Sequence, residues 1–222
     1  MTQELSLPIQ TAWLIPLYGF AGMLVSLPWA SGLFRRDAHR PAAYLNILLT
    51  LLAFGHGSLI LQQVFQSGPV DLAFPWLTVA DLELDISFSL SLTNLVALEL
   101  ITGLSLFSQV YSLGYMDKEW ALARFFALLG FFEGAMSGVV LSDSLFQSYF
   151  LLEMLTLSTY LLVGFWYAQP LVVTAARDAF LTKRVGDVLL LMGVVALCSY
   201  SGAMGFNDLY AWAAQDAVSP LA

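Results

Sequence analysis

Residues Phe131–Trp166, FFEGAMSGVVLSDSLFQSYFLLEMLTLSTYLLVGFW, read as two apolar helices joined by the polar turn Ser142-Asp143-Ser144. Each helix carries one carboxylic acid deep in its apolar run. Glu133 lies ten residues before Asp143, and Glu153 lies ten residues after it. At a rise of about 1.5 Å per residue, both acids sit roughly 15 Å from the turn, near the middle of a hydrocarbon layer about 30 Å thick. An ionisable group at that depth marks a functional site by default.

The rest of the chain suits a bilayer. Of 222 residues, 59% are hydrophobic and only 11% charged, and the mean hydropathy is +0.78. A soluble domain carries about 25% charged residues, so the composition describes an integral membrane protein. The formal charge of −8 reflects acidic loops and gives no basic surface for nucleic acid. The single cysteine, Cys198, can form no intrachain disulfide, and no cysteine cluster exists to hold an iron–sulfur centre. No glycine-rich nucleotide motif opens a helix after a strand. The N-terminal MTQELSLPIQ lacks a basic region, so the first apolar run reads as a retained helix and not a signal peptide.

Working outward, the fold reads as all-α, with about six transmembrane helices and a short surface β-hairpin between helices 2 and 3. The runs are about Ile9–Phe34, Ala43–Phe65, Leu92–Met116, Leu122–Leu141, Leu145–Tyr167 and Ala179–Tyr200, each near the roughly 20 residues a span needs. Pro16, Gly19, Gly22 and Pro28 are expected to kink the first. LTVADLELDISFSLSL alternates with period 2, as a hairpin lying on the membrane surface would. The tail GFNDLYAWAAQDAVSPLA reads as a short interfacial amphipathic helix. The expected divisions are 1–66 (helices 1–2), 67–91 (hairpin), 92–204 (helices 3–6) and 205–222 (tail).

Charge orients these spans. Arg35, Arg36, Arg40, Lys118, Arg124, Arg177, Lys183 and Arg184 all fall on one side. The opposite loops carry Glu4, Asp71, Asp81, Glu83, Asp85, Asp143, Asp208 and Asp216, and no cation. By the positive-inside rule, the cationic side is cytoplasmic and both termini lie on the other. Trp29, Trp76, Trp120, Trp166 and Trp212 fit an aromatic belt.

The candidate proton carriers follow from helical spacing. Tyr149, Glu153, Thr156 and Tyr160 share one face of the fifth helix, which must face a bundle interior or a water file. A structural acid satisfied by a neighbour's hydroxyls is the alternative for Glu153. Gly130, Gly134 and Gly138 form a small-residue stripe whose natural partner is the fifth helix. That packing would make Glu133 and Glu153 a coupled pair; otherwise Glu133 pairs with another subunit. Glu99 and His56 are further intramembrane candidates, although a lone His is more often a satisfied hydrogen-bonder. Lys183 and Asp187 are four residues apart and pair on one face, beside Arg184; the alternative is a snorkelling cytoplasmic anchor.

The block ARFFALLGFFEGAMSGVVLSDSLFQSYFLLEMLTLSTYLLVGFWY, followed by RDAFLTKRVGDVLLLMG, resembles the antiporter-like subunit 5 family of complex I-type dehydrogenases. Pro75-Trp76-Leu77 and SQVYSLGYM fit as well. RDAFLTKR (177–184) and LLEMLT (151–156) are most similar to the F-subunit branch of the cyanobacterial type-1 NAD(P)H dehydrogenase, in its carbon dioxide-uptake form. The resemblance implies a proton channel built from inverted helix repeats, with no cofactor in this chain. Partner subunits would carry the iron–sulfur clusters and bind plastoquinone. It further implies other membrane-arm subunits as partners, including antiporter-like ones, a peripheral carbon dioxide-hydration protein, and a thylakoid location with lumenal termini. The family's channel glutamate maps onto Glu153, and its Arg-Val-Gly-Asp segment maps onto Arg184–Asp187. Glu133 and Glu99 stand where uncharged residues are expected, and Lys183 stands where a small polar residue is. In the family, the glutamate pairs with a lysine on a later helix. This chain stops before that helix, so it reads as an N-terminal portion, or another chain supplies the rest. The other readings are a subunit of a cation/proton antiporter and a non-pumping scaffold that docks a peripheral protein.

Overall fold

A computed structural model of the chain describes residues 6–34, 40–79 and 82–214. Glu4, Arg35, Arg36, Asp81, Asp216 and the end of the expected tail helix lie outside them. The first apolar run is broken into α1 (Leu7–Gln10) and α2 (Leu14–Ala30). The break falls at Thr11–Trp13, ahead of Pro16, and α2 runs on through Pro28. Then come α3 (Arg40–Ser67), β1 (Val70–Val79), β2 (Leu82–Leu90), α4 (Leu92–Tyr115), α5 (Leu122–Leu141), α6 (Leu145–Val163), α7 (Pro170–Ser201) and α8 (Phe206–Ala213).

By length and composition, α3, α4, α5 and α6 are long and apolar enough to cross a membrane, and α2 is a shorter apolar helix. The sixth expected run lies within the 32-residue α7, which carries Arg177, Asp178, Lys183, Arg184 and Asp187. The hub of the bundle is α5, which packs against α2, α3, α4 and α6. Of its membrane-length stretch 61% is buried, against 28% for α3 and for α4 and 17% for α6. Outside this centre, large apolar side chains such as Leu100, Phe107, Leu189 and Val195 are exposed, as lipid-facing surfaces are.

The glycine stripe of α5 makes this centre possible, but its partner differs from the expected one. A Cβ on Gly19 of α2 would lie 2.4 Å from the Gly134 nitrogen and 2.7 Å from the Gly130 carbonyl oxygen. So α2, not α6, takes the close approach. Both surfaces are glycine at that crossing, which lets two backbones touch. Only Gly138 faces α6, where a Cβ would meet Leu151 at 3.1 Å.

At the acidic end, three segments are stitched by backbone hydrogen bonds. The Asp143 N–H donates to the Ser87 carbonyl at 3.1 Å, and the Phe206 N–H donates to the Asp143 carbonyl at 3.1 Å. The Ser87 N–H donates to Gln147 Oε1 at 2.9 Å. The strands pair antiparallel with a shift between Pro75 and Leu77; a proline has no N–H to give the ladder, so a bulge there is natural. The hairpin is more than a surface ornament, because Phe88 and Leu90 are buried in the core.

Burial, followed by the charges of Asp71 and Asp208, pushes the Asp143 carboxyl above its usual range. A folded-state pKa above the unfolded one means a contribution that is complete in acid and is lost as pH rises through the folded value. The thermal midpoint of Asp143→Asn should therefore gain on that of the parent as pH rises from 4 to 8. A constant difference would show that the carboxyl titrates as it does in the unfolded chain.

Candidate functional site

Two apolar clusters occupy the two ends of the bundle. One holds Ile15, Ile60, Leu95, Leu98 and Leu141; the other holds Ala43, Met116, Leu122, Phe126 and Phe165. Between them along α3, α4 and α5 runs a layer of buried polar groups: Asn46, Thr50, Gln109, Glu133 and Ser137. Gln109 Nε2 donates to Thr50 Oγ1 at 2.7 Å, and the Thr50 hydroxyl donates to Glu133 Oε2 at 2.9 Å. One turn earlier on α3, Asn46 Nδ2 donates to the Gly22 carbonyl at 3.0 Å and to Ser26 Oγ. Glu133 is 1% exposed, and its Oε1, Ser137 Oγ and Gln109 Oε1 have no hydrogen-bond partner among the described residues. No cation reaches Glu133 among the described ion pairs. A buried carboxyl group so placed, with one oxygen free, has the chemistry of a proton carrier.

Thr50→Val should leave Glu133 Oε2 unbonded and Gln109 Nε2 with only its 3.4 Å bond to Ser105 Oγ, destabilising the bundle by about 1–3 kcal/mol. Thr50→Ser should retain most of the stability. Equal thermal midpoints for the two variants would refute this chain of bonds.

The second polar system lies between α6 and α7. The Tyr149 hydroxyl donates to Glu153 Oε1 at 2.8 Å, and Arg184 Nη1 donates to Glu153 Oε2. The Arg184 guanidinium also stands over the Phe180 ring, 4.8 Å from its centroid. Three residues on, Lys183 Nζ donates to Thr156 Oγ1 and pairs with Asp187 at 3.0 Å. Tyr160 packs on Phe180, with ring centroids 4.9 Å apart. Glu153, Thr156 and Tyr160 of the expected face thus meet α7, and Tyr149 joins them through its bond to Glu153. Asp187 is 7% exposed, and its Oδ2 has no partner among the described residues.

The expected coupling of Glu133 with Glu153 does not form. Glu133 faces α3 and Glu153 faces α7. Gly134 is turned to α2, and its neighbour Glu133, about 100° round the helix, points to α3. Glu99 accepts from the Ser58 hydroxyl at 2.9 Å, between α3 and α4, with Oε1 unbonded among the described residues. His56 Nε2 lies 3.0 Å from the Pro8 carbonyl and 3.3 Å from Thr11 Oγ1, so its bonds go to α1 and its C-cap, not to the polar layer. Sequence reasoning missed Asn46, Thr50 and Gln109. The four-residue spacing of Asn46 and Thr50 was the available signal. Among the described residues, no three His, Cys, Asp or Glu side chains gather as a metal site requires.

Comparison with known proteins matches these elements. A family model described as NADH-Ubiquinone oxidoreductase (complex I), chain 5 N-terminus, covers residues 76–126. A second, NADH:quinone oxidoreductase/Mrp antiporter, TM, covers residues 142–220. NAD(P)H-quinone oxidoreductase subunit 5, organellar chromatophore 2, of Paulinella chromatophora is 72% identical over 100% of this chain and 36% of its own length. The chloroplastic NAD(P)H-quinone oxidoreductase subunit 5 of Agrostis stolonifera is 33% identical over 90% of this chain and 28% of its own. A chain in the structure of the Mrp complex from Dietzia sp. DQ12-45-1b shares the fold, with TM-score 0.72 at 20% identity over 93% of this chain and 22% of that one. The chain therefore spans 36% or less of these relatives' lengths.

Proposed function

Since the chain belongs to the antiporter-like chain 5 family of complex I-type NAD(P)H-quinone oxidoreductases, we propose that it forms part of a proton-translocating membrane-arm subunit. The complex would be an NAD(P)H/ferredoxin:plastoquinone oxidoreductase, in the thylakoid form linked to carbon dioxide uptake. The observation that carries the reading is the α6–α7 seam, where Glu153 meets Arg184 while Thr156 meets Lys183 and Asp187. Protons enter from the cationic side, reach Lys183 and Asp187 inside the α6–α7 seam, pass Glu153, and leave toward the acidic face or laterally. Glu133 is a second proton-holding group in a layer of its own between α3, α4 and α5, while Glu99 lies between α3 and α4 and His56 bonds to α1, both away from the α6–α7 seam. The relatives' names refer to chromatophores and chloroplasts, which supports a photosynthetic membrane; by the positive-inside rule, both termini would face its lumen. The iron–sulfur clusters and the plastoquinone site belong to partner subunits. Other membrane-arm subunits and a peripheral carbon dioxide-hydration protein complete the assembly.

Lys183→Ala in the complete complex tests the route. Donor-driven proton uptake into vesicles should fall by about tenfold, equivalent to about 1.4 kcal/mol on the barrier. Unchanged uptake per assembled complex would refute entry at Lys183. The Mrp-like fold favours a cation/proton antiporter as the second reading. Sodium-dependent proton movement without an electron donor would select it.

A further inference from the structure

At the cationic end, the close of α2, the α4–α5 turn, the start of α5 and the segment after α6 enclose a cavity of about 280 Å³. Trp29, Ala30, Trp120, Ala121, Arg124 and Tyr167 line it. We propose that it binds the anionic headgroup of a membrane lipid.

The charge comes first. Arg124 Nη2 donates to the Phe165 carbonyl. Its guanidinium lies 4.6 Å from the Phe165 ring centroid, 4.8 Å from that of Tyr167 and 5.9 Å from that of Trp120. This cage orients the fork and shields it from water. Yet no carboxylate pairs with Arg124 among the described ion pairs, and its buried Nε has no partner among the described residues. A guanidinium held this way, with an N–H to spare, is complementary to a phosphate or sulfonate oxygen.

The backbone adds to it. Ala121 caps α5 without a side-chain hydrogen bond; the Leu122 N–H donates to the Glu119 carbonyl, which leaves the Ala123 and Arg124 N–H groups of the first turn. Their partial positive charge falls on the cavity wall and reinforces Arg124.

Position selects a lipid over a free anion. Trp29, Trp120 and Tyr167 are amphipathic rings of the type that settles at headgroup level. Leu27, Leu33 and Phe34, at the same end of α2, are exposed and offer an apolar flank for acyl chains. The adjoining α4–α5 turn carries Lys118 and, through Asp117, holds Arg40 at the start of α3, on the cationic side where anionic lipids concentrate.

The test uses native mass spectrometry on the complete complex in detergent, with phosphatidylglycerol, phosphatidylcholine or inorganic phosphate as probe. Phosphatidylglycerol should be retained on the subunit in preference to phosphatidylcholine. Arg124→Gln should weaken that retention by about tenfold. Arg124 also ties down the end of α6, so Ala30→Phe provides an independent variant that fills the cavity and leaves the Phe165 bond intact. It should cause the same loss. Equal retention of the two lipids, or parental retention in Ala30→Phe, would overturn the site. Displacement of phosphatidylglycerol by equimolar inorganic phosphate would replace the lipid with a free anion and overturn the proposal too.

Discussion

On the proposed proton route, Glu153→Gln is expected to lower translocation by about a hundredfold or more, the scale on which a positioned proton-transfer group acts. Glutamine keeps the size of the side chain and can still accept from Tyr149. It cannot hold a transferable proton, and it cannot neutralise Arg184, which now donates to Glu153. The measurement is donor-driven proton uptake per assembled complex, since two effects must be separated. Removing one partner of a buried pair leaves the other uncompensated, at about 3–5 kcal/mol. The arginine is 40% exposed along its side chain, so water screens it and the loss is smaller. Glu153→Gln combined with Arg184→Gln removes both charges. It should recover assembly while translocation stays lost. A double variant that pumps normally would make the pair a structural tie and nothing more. Glu153→Asp keeps the charge with one methylene fewer and should retain a measurable fraction.

The second large effect is on folding. Gly19→Ala should destabilise the bundle by about 3 kcal/mol or more, at the upper end of overpacking penalties. Its Cβ would lie 2.4 Å from the Gly134 nitrogen and 2.6 Å from the Gly134 Cα. Both are backbone atoms of the central helix, so no rotamer change can relieve the clash. Gly134→Ala should act alike, because its Cβ would meet the Pro16 carbonyl oxygen at 2.8 Å. Gly55→Ala is the control. Nothing lies within 4 Å of its Cβ, and it gains about 0.5–1 kcal/mol of helix propensity. Thermal unfolding in detergent should order the variants Gly55→Ala, parent, Gly19→Ala from most to least stable. A Gly19→Ala protein as stable as the parent would mean that α2 can move off α5 freely.

The two predictions differ in how far the sequence alone supports them. Glu153 stands out because a carboxylate in a long apolar run is rare, and the Tyr149–Glu153–Thr156–Tyr160 spacing gives it a direction. The Lys183–Asp187 pair is likewise local, four residues apart on one helix. Arg184 as the partner of Glu153 joins residues 31 positions apart, so only the packing of α7 on α6 reveals it. The hairpin follows from alternation, but its stitching to Asp143 and Phe206 depends on where three chain segments end in space.

What the sequence determined by itself was the membrane class, the approximate helix runs and the α6 stripe. These are one-dimensional properties of hydropathy, period and net charge. Only the tertiary structure decided which helix each stripe faces. The glycines of α5 could receive any helix with a matching small surface, and α2 supplied it with Gly19. That choice turned Glu133 to Thr50 and Gln109 and away from Glu153. The two acids share a depth because helical rise sets it. They do not share a site, because the rotation of α5 is set by the closest backbone contact in the bundle.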